Sequence, residues 1–145
     1  MKKLLSLLIV TCFFSTTRLQ AQSKMAIGYI YDNMSSPCGQ FTTAKGYRYQ
    51  YSSNSGTSLS ELRQKVTDEL ANYYSLSKNK VMSWTSTKAY GCVISYRKKE
   101  SGYDCTTFHY AVSFGDSESE ARENAIKEMR LYYSGTSYTV EASIH

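Results

Sequence analysis

From Met25 to Tyr31 apolar residues follow one another almost without a break, and from Gly46 to Ser52 Tyr47, Tyr49 and Tyr51 alternate with Arg48 and Gln50. Both stretches predict strands, the second with one aromatic and one polar face. The intervening Asp32-Asn33-Met34-Ser35-Ser36-Pro37-Cys38-Gly39 is dense in turn formers and predicts a loop. At Leu59 the spacing changes. Leu59, Leu62, Val66, Leu70 and Tyr73 recur at three- and four-residue intervals and mark the buried stripe of a helix, with Arg63, Lys65 and Asp68 outside it. Ser58 precedes that stripe and Glu61 follows it by three, the spacing of a capping box in which hydroxyl and carboxylate each accept an orphan backbone N–H.

The plan then recurs. Strands are predicted at Lys88 to Arg97 and Asp104 to Phe114, followed by a helix capped by Ser117 with Glu120 in the same box and a stripe of Ala121, Ala125, Met129 and Tyr132. Glu100-Ser101-Gly102 suits a three-residue hairpin loop with Gly102 in the left-handed position. That loop sets Ile94 opposite Phe108, Cys92 opposite Tyr110 and Tyr96 opposite Thr106. Tyr90, Cys92, Ile94, Phe108, Tyr110 and Val112 then gather on one buried face.

The recurrence extends to residue identity. Ser58, Ser60, Glu61, Arg63, Glu69, Tyr73, Tyr74 and Ser75 return 59 positions later as Ser117, Ser119, Glu120, Arg122, Glu128, Tyr132, Tyr133 and Ser134, and Gly56 returns as Gly115. A single unit of about 60 residues covers little more than half of its surface, so the two belong in one body. The fold class expected is α+β: a two-layer arrangement with an antiparallel sheet of about four to six strands and two helices on one face. It is built from a duplicated β-β-α unit with pseudo-twofold symmetry, unit one about 25–84 and unit two about 85–145. The extended pieces after each helix, Lys80 to Trp84 and Tyr138 to Ile144, either add short strands or wrap the sheet. One sheet face is left open.

The N-terminus changes the reading of charge. Lys2 and Lys3, the apolar Leu4 to Phe14 and the small-residue site Leu19-Gln20-Ala21 predict a signal peptide over 1–21, cut after Ala21. A lipoprotein box at Ile9-Val10-Thr11-Cys12 is the weaker alternative, because Thr11 is bulkier than the usual small residue before such a cysteine. Cleavage removes Lys2, Lys3 and Arg18, which takes the basic count from 17 to 14 against 12 acidic residues and the net charge from +5 to +2. The basic face that nucleic acid requires is then missing, and Arg97-Lys98-Lys99 reads as a solvated hairpin tip. The apolar run is too short to span a bilayer, so no transmembrane segment is expected. The expectation is a single globular domain, 22–145, that is secreted or periplasmic and of open oligomeric state.

Chemistry is sparse. Cys38, Cys92 and Cys105 remain after cleavage, an odd number in an oxidising compartment. The predicted register turns Cys92 into the core and Cys105 to the other side, across from Arg97, which leaves Cys38 with Cys105 as the candidate disulfide. Their scattered spacing is not that of a zinc site, and neither metal nor cofactor is expected. His109, with Arg48, Gln50, Thr107 and Ser113, falls on the polar side of the strands. Cys105 and His109, four apart on a strand, lie roughly 13 Å from one another, beyond proton-transfer reach. No catalytic residues are assigned. Fourteen tyrosines are the compositional excess, and Tyr29, Tyr31, Tyr47, Arg48, Tyr74, His109 and Tyr133 form the candidate binding surface. The favoured function is a non-catalytic binding module engaging an unknown protein or glycan. The alternative is an inhibitor or self-protection protein acting on a hydrolase or toxin through the loop from Asp32 to Gln40, and a cysteine/histidine hydrolase ranks third.

Overall fold

The computed structural model describes residues 22–33, 41–101 and 104–145. The signal segment, Pro37 and Cys38 therefore lie outside the described residues. In chain order the elements are β1 (Lys24–Asn33), β2 (Thr42–Ser52), α1 (Leu59–Tyr74), a 3-10 turn (Lys78–Lys80), β3 (Val81–Ser86), β4 (Tyr90–Lys99), β5 (Thr106–Gly115), α2 (Glu118–Arg130) and β6 (Thr139–Ile144). The class is α+β.

The strands form two three-stranded antiparallel sheets, ordered β2-β1-β3 and β5-β4-β6, in place of the single sheet expected. Both extended pieces after the helices are strands. In each sheet the first strand of its half is central.

Side-chain parity explains the split. On β1, Ala26 and Ile30 meet Leu62, Val66 and Leu70 of α1. Met25 and Ile27 point the other way, into a layer shared with Val93 and Ile144 of the second sheet. On β4, Cys92, Ile94 and Tyr96 pack under Ala121, Ala125 and Met129 of α2. The layers therefore run α1, first sheet, second sheet, α2. The uncovered sheet face and the placement of both helices on one face are overturned, because each sheet has a helix on one side and the other sheet on its second side. Gly91 permits the approach of the sheets: a Cβ there would lie 2.5 Å from Met25 Sδ and 2.7 Å from Ile27 Cδ1.

The β4–β5 register is corrected by three residues. Ile94 faces Ala111, Cys92 faces Ser113 and Tyr96 faces His109. The strands end at Lys99 and Thr106, and the ladder continues through Glu100, whose N–H donates to the Cys105 carbonyl at 2.9 Å. Cys105 thus sits opposite Glu100 and not Arg97, and the connection is longer than the three-residue loop. A slip of three is odd, so it turns Phe108, Tyr110 and Val112 away from Cys92 and Ile94, toward the first sheet. Apolar matching could not reveal this, because both faces of the hairpin are buried.

The helices follow the i, i+4 row further than expected. Leu62, Val66 and Leu70 are buried and lead to Tyr74, packed on their cluster, while Tyr73 is 69 % exposed. Ala121, Ala125 and Met129 lead likewise to Tyr133, and Tyr132 is 65 % exposed. The capping box at Ser58 is complete: Glu61 N–H donates to Ser58 Oγ at 3.1 Å and Ser58 N–H to Glu61 Oε2 at 2.6 Å. At Ser117 only half is made, since the Glu120 carboxylate accepts from Asp116 N–H instead. Among the described residues no helix is long and apolar enough to cross a membrane.

Candidate functional site

β5 is an edge strand, and a cleft of about 590 Å³ lies along it. Tyr29 of β1 with Met82 and Trp84 of β3 line it from the first sheet, and Glu128 of α2 and Tyr132, just past the end of α2, line it from the other side. Tyr96, Lys98 and His109 also line it, and residues 110–114 of β5 run through it. Met82 at 44 % and Trp84 at 37 % exposure are large apolar groups left uncovered in a concave surface.

Ring contacts hold the wall. Tyr29 meets Trp84 at 5.5 Å and Tyr110 at 5.9 Å between centroids, and Tyr110 also meets Tyr47 at 5.4 Å and Phe108 at 5.1 Å. Burial pushes the Tyr110 phenol up to about 12, with Glu141 adding to it. Burial likewise carries Tyr96 to about 12, with Tyr29, Tyr132 and Glu128 adding smaller repulsions. These phenols stay protonated through the neutral range.

His109 belongs to a strap and not to a solvated face. Its ring stacks on Tyr96 at 5.3 Å, and Nε2 lies 2.7 Å from Thr107 Oγ1. The Thr107 hydroxyl, fully buried, donates to Glu100 Oε1 at 2.6 Å, and Lys98 Nζ stands 3.5 Å from Glu100 Oε2. A hydroxyl has one proton. With that proton given to Glu100, the imidazole must donate from Nε2, the reverse of the polarity a general base needs toward a nucleophile.

Burial holds His109 below its ordinary value of 6.5, against the Glu100 carboxylate that favours the cation, with Lys98 acting in the same sense as burial. The unfolded chain takes up its proton near 6.5, before the folded one does, so this contribution to stability is whole above that pH and is lost as pH falls through the depressed folded value. The carboxylates held low, Asp32, Glu61, Asp68 and Glu100, start from 3.8 or 4.5 and act in a more acidic window. The urea midpoint is therefore expected to fall between pH 7 and 5 in the native chain and to fall less in His109→Gln; equal slopes would remove His109 as the cause.

The sequence-derived candidates divide. Tyr29 and His109 meet in the cleft, and Tyr31 borders a smaller cavity of about 140 Å³ beside them. Tyr47 is half-buried between the sheets, its hydroxyl donating to the Glu141 carbonyl at 3.1 Å. Arg48 and Tyr74 are elsewhere, the guanidinium 4.9 Å from the Tyr73 ring and the Tyr74 hydroxyl donating to the Lys45 carbonyl at 2.9 Å. Tyr133 stacks on Tyr96 at 5.2 Å beside a separate hollow of about 280 Å³. Cys105 is buried, and its candidate partner Cys38 lies outside the described residues. Cys92 is a buried free thiol that burial pushes up.

Met82, Trp84, Tyr96, Glu128 and Tyr132 were missed. The signal available was Trp84, the chain's single tryptophan, in a short extended segment beside Met82. Compared with protein-family models, with curated proteins and with solved structures, the chain finds no match in any of the three.

Proposed function

We propose that the chain is an exported, non-catalytic binding module that engages a protein or a glycan through the aromatic cleft along β5. The observation that carries this is the convergence of Tyr29, Trp84, Tyr96, Tyr110 and Tyr132 on one concave surface, with Met82 and Trp84 left uncovered. Apolar concavity with a few polar groups at its margin is the general form of a ligand site. The recognition surface is thus a sheet edge and not a sheet face.

The scaffold is a duplicated β-β-α unit extended by a third strand, with Cys38 bridged to Cys105, a pairing that mass spectrometry of the unreduced mature chain reads directly. Trp84 is the only tryptophan and lines the cleft, so its emission reports occupancy. Titration of the mature chain with soluble oligosaccharides and with blocked peptides is expected to give a saturable shift with one of the two classes. Tyr29→Ala is expected to weaken that binding by about tenfold or more. Emission indifferent to every member of both panels would end this reading.

A further inference from the structure

The free edge of β5 carries a second layer of information. Because Glu100 and Cys105 form a hydrogen-bonded pair, the odd-numbered residues of β5 bond to β4 and the even-numbered ones direct N–H and C=O outward. At one end of the edge both outward groups of Phe108 are taken by the Thr43 hydroxyl, which accepts from the N–H at 3.0 Å and lies 3.4 Å from the C=O. At the other end the Asn124 amide donates to the Phe114 carbonyl at 3.1 Å. Between these two caps, the N–H and C=O of Tyr110 and Val112 have no partner among the described residues. They open into the cleft.

Resting on the reading of the cleft as a binding site, we infer that its occupant is an extended peptide segment of a partner protein, added to β5 as a further strand and carrying a basic side chain toward Glu128. The unpaired groups recur at every second residue, roughly 6.8 Å apart, which is the repeat of an extended polypeptide and not of a glycan. An uncapped edge strand is a pairing template, and this one is capped at Phe108 and at the Phe114 carbonyl, with the aromatic slot between them. One face of the added strand meets Tyr29, Met82 and Trp84 and calls for apolar side chains. The other meets α2.

Charge decides what that second face takes. Lys98 is answered by Glu100 at 3.5 Å, whereas exposed Glu128 has no ion pair among the described residues. The cleft therefore presents one uncompensated negative charge, complementary to lysine or arginine. The peptide expected alternates apolar and basic residues over about four to six positions.

The test uses the mature chain and blocked hexapeptides alternating valine with lysine, read by Trp84 emission and by amide exchange. Binding is expected to shift the emission and to protect the Tyr110 and Val112 N–H groups. N-methylation of the peptide amides that face β5 should weaken binding about three- to tenfold each, and methylation of the alternate amides should not. Val112→Pro removes one outward N–H without touching the β4 ladder and should weaken binding by a similar factor. Glu128→Gln should cost the lysine peptide about two- to fivefold and a neutral peptide nothing.

If Val112→Pro does not fold, the methylated peptides still decide. An oligosaccharide that shifts Trp84 while no peptide does overturns this inference and leaves the binding module standing. Protection of the same amides by self-association without peptide assigns the edge to a second copy and overturns it too. Silence from both panels removes the two proposals together.

Discussion

Ile27→Ala and Ile30→Ala, made separately, are each expected to lower the unfolding free energy by about 2–5 kcal/mol. The two residues are three apart on β1, both are without exposed surface, and their side chains leave the strand in opposite directions. Ile30 fills the layer against Leu62, Val66 and Leu70 of α1, and Ile27 fills the layer against Val93 and Ile144 of the second sheet. Truncation in either place loses the transfer free energy of the missing methyls and leaves a hole bounded by backbone on one side. A single sheet with helices on one face could not penalise both, since one of the two side chains would face water and its removal would be nearly neutral. Urea unfolding of the two variants thus tests the four-layer arrangement directly. A cost below about 0.5 kcal/mol for either would refute it. With total stabilities of about 5–15 kcal/mol usual for such domains, either variant is expected to be visibly less stable, and the double variant to lose about 4–10 kcal/mol.

Element type was written plainly in the chain, and the layer arrangement was written in a place easily misread. Ser58 and Ser117 mark the helix starts, and Leu62, Val66, Leu70 with Ala121, Ala125, Met129 give the buried rows. The consecutive apolar triplets Met25-Ala26-Ile27 and Cys92-Val93-Ile94 are what strands buried on both faces look like. The alternation of Tyr47, Tyr49 and Tyr51 with Arg48 and Gln50 instead suggested one wet face, although Tyr47 turns toward the second sheet and against Tyr110. The candidate site was less legible because it is assembled across the sheets. Tyr29 and Trp84 are adjacent through the β1–β3 pairing, and Tyr96 and His109 are directly opposed on β4 and β5, relations that no local window contains. The register error hid the second of these, since a three-residue loop places Tyr96 against Thr106. What the residue pattern carried without distortion was that tyrosine was in excess; which tyrosines converge was a matter of topology.

Gly115→Ala is expected to cost about 1–3 kcal/mol, and Gly56→Ala to cost nothing or to stabilise by about 0.4–1 kcal/mol, although the two glycines occupy equivalent places in the sequence recurrence. Neither backbone lies in the left-handed region, so conformational strain does not separate them. Space does. A Cβ on Gly115 would stand 2.5 Å from the Ala121 backbone nitrogen and 2.9 Å from Glu120 Cβ, inside the first turn of α2. Those atoms are not the tips of flexible side chains, and relief requires lifting α2 off β5, which loosens the packing of Ala121 and Ala125 over Cys92 and Ile94. A Cβ on Gly56 meets only Asn54 Oδ1 at 3.4 Å, an ordinary contact at an exposed turn, and the substitution mainly removes freedom from the unfolded chain. The contrast follows from what each glycine touches. The glycine before α2 lies against the first turn of its helix, at Glu120 and Ala121, whereas the one before α1 meets only the Asn54 side chain of its own turn. Chemical denaturation of the two single variants measures this. Equal losses at both positions would mean that the glycines act through the backbone alone and that α2 is not seated as closely as the distances to Gly115 require.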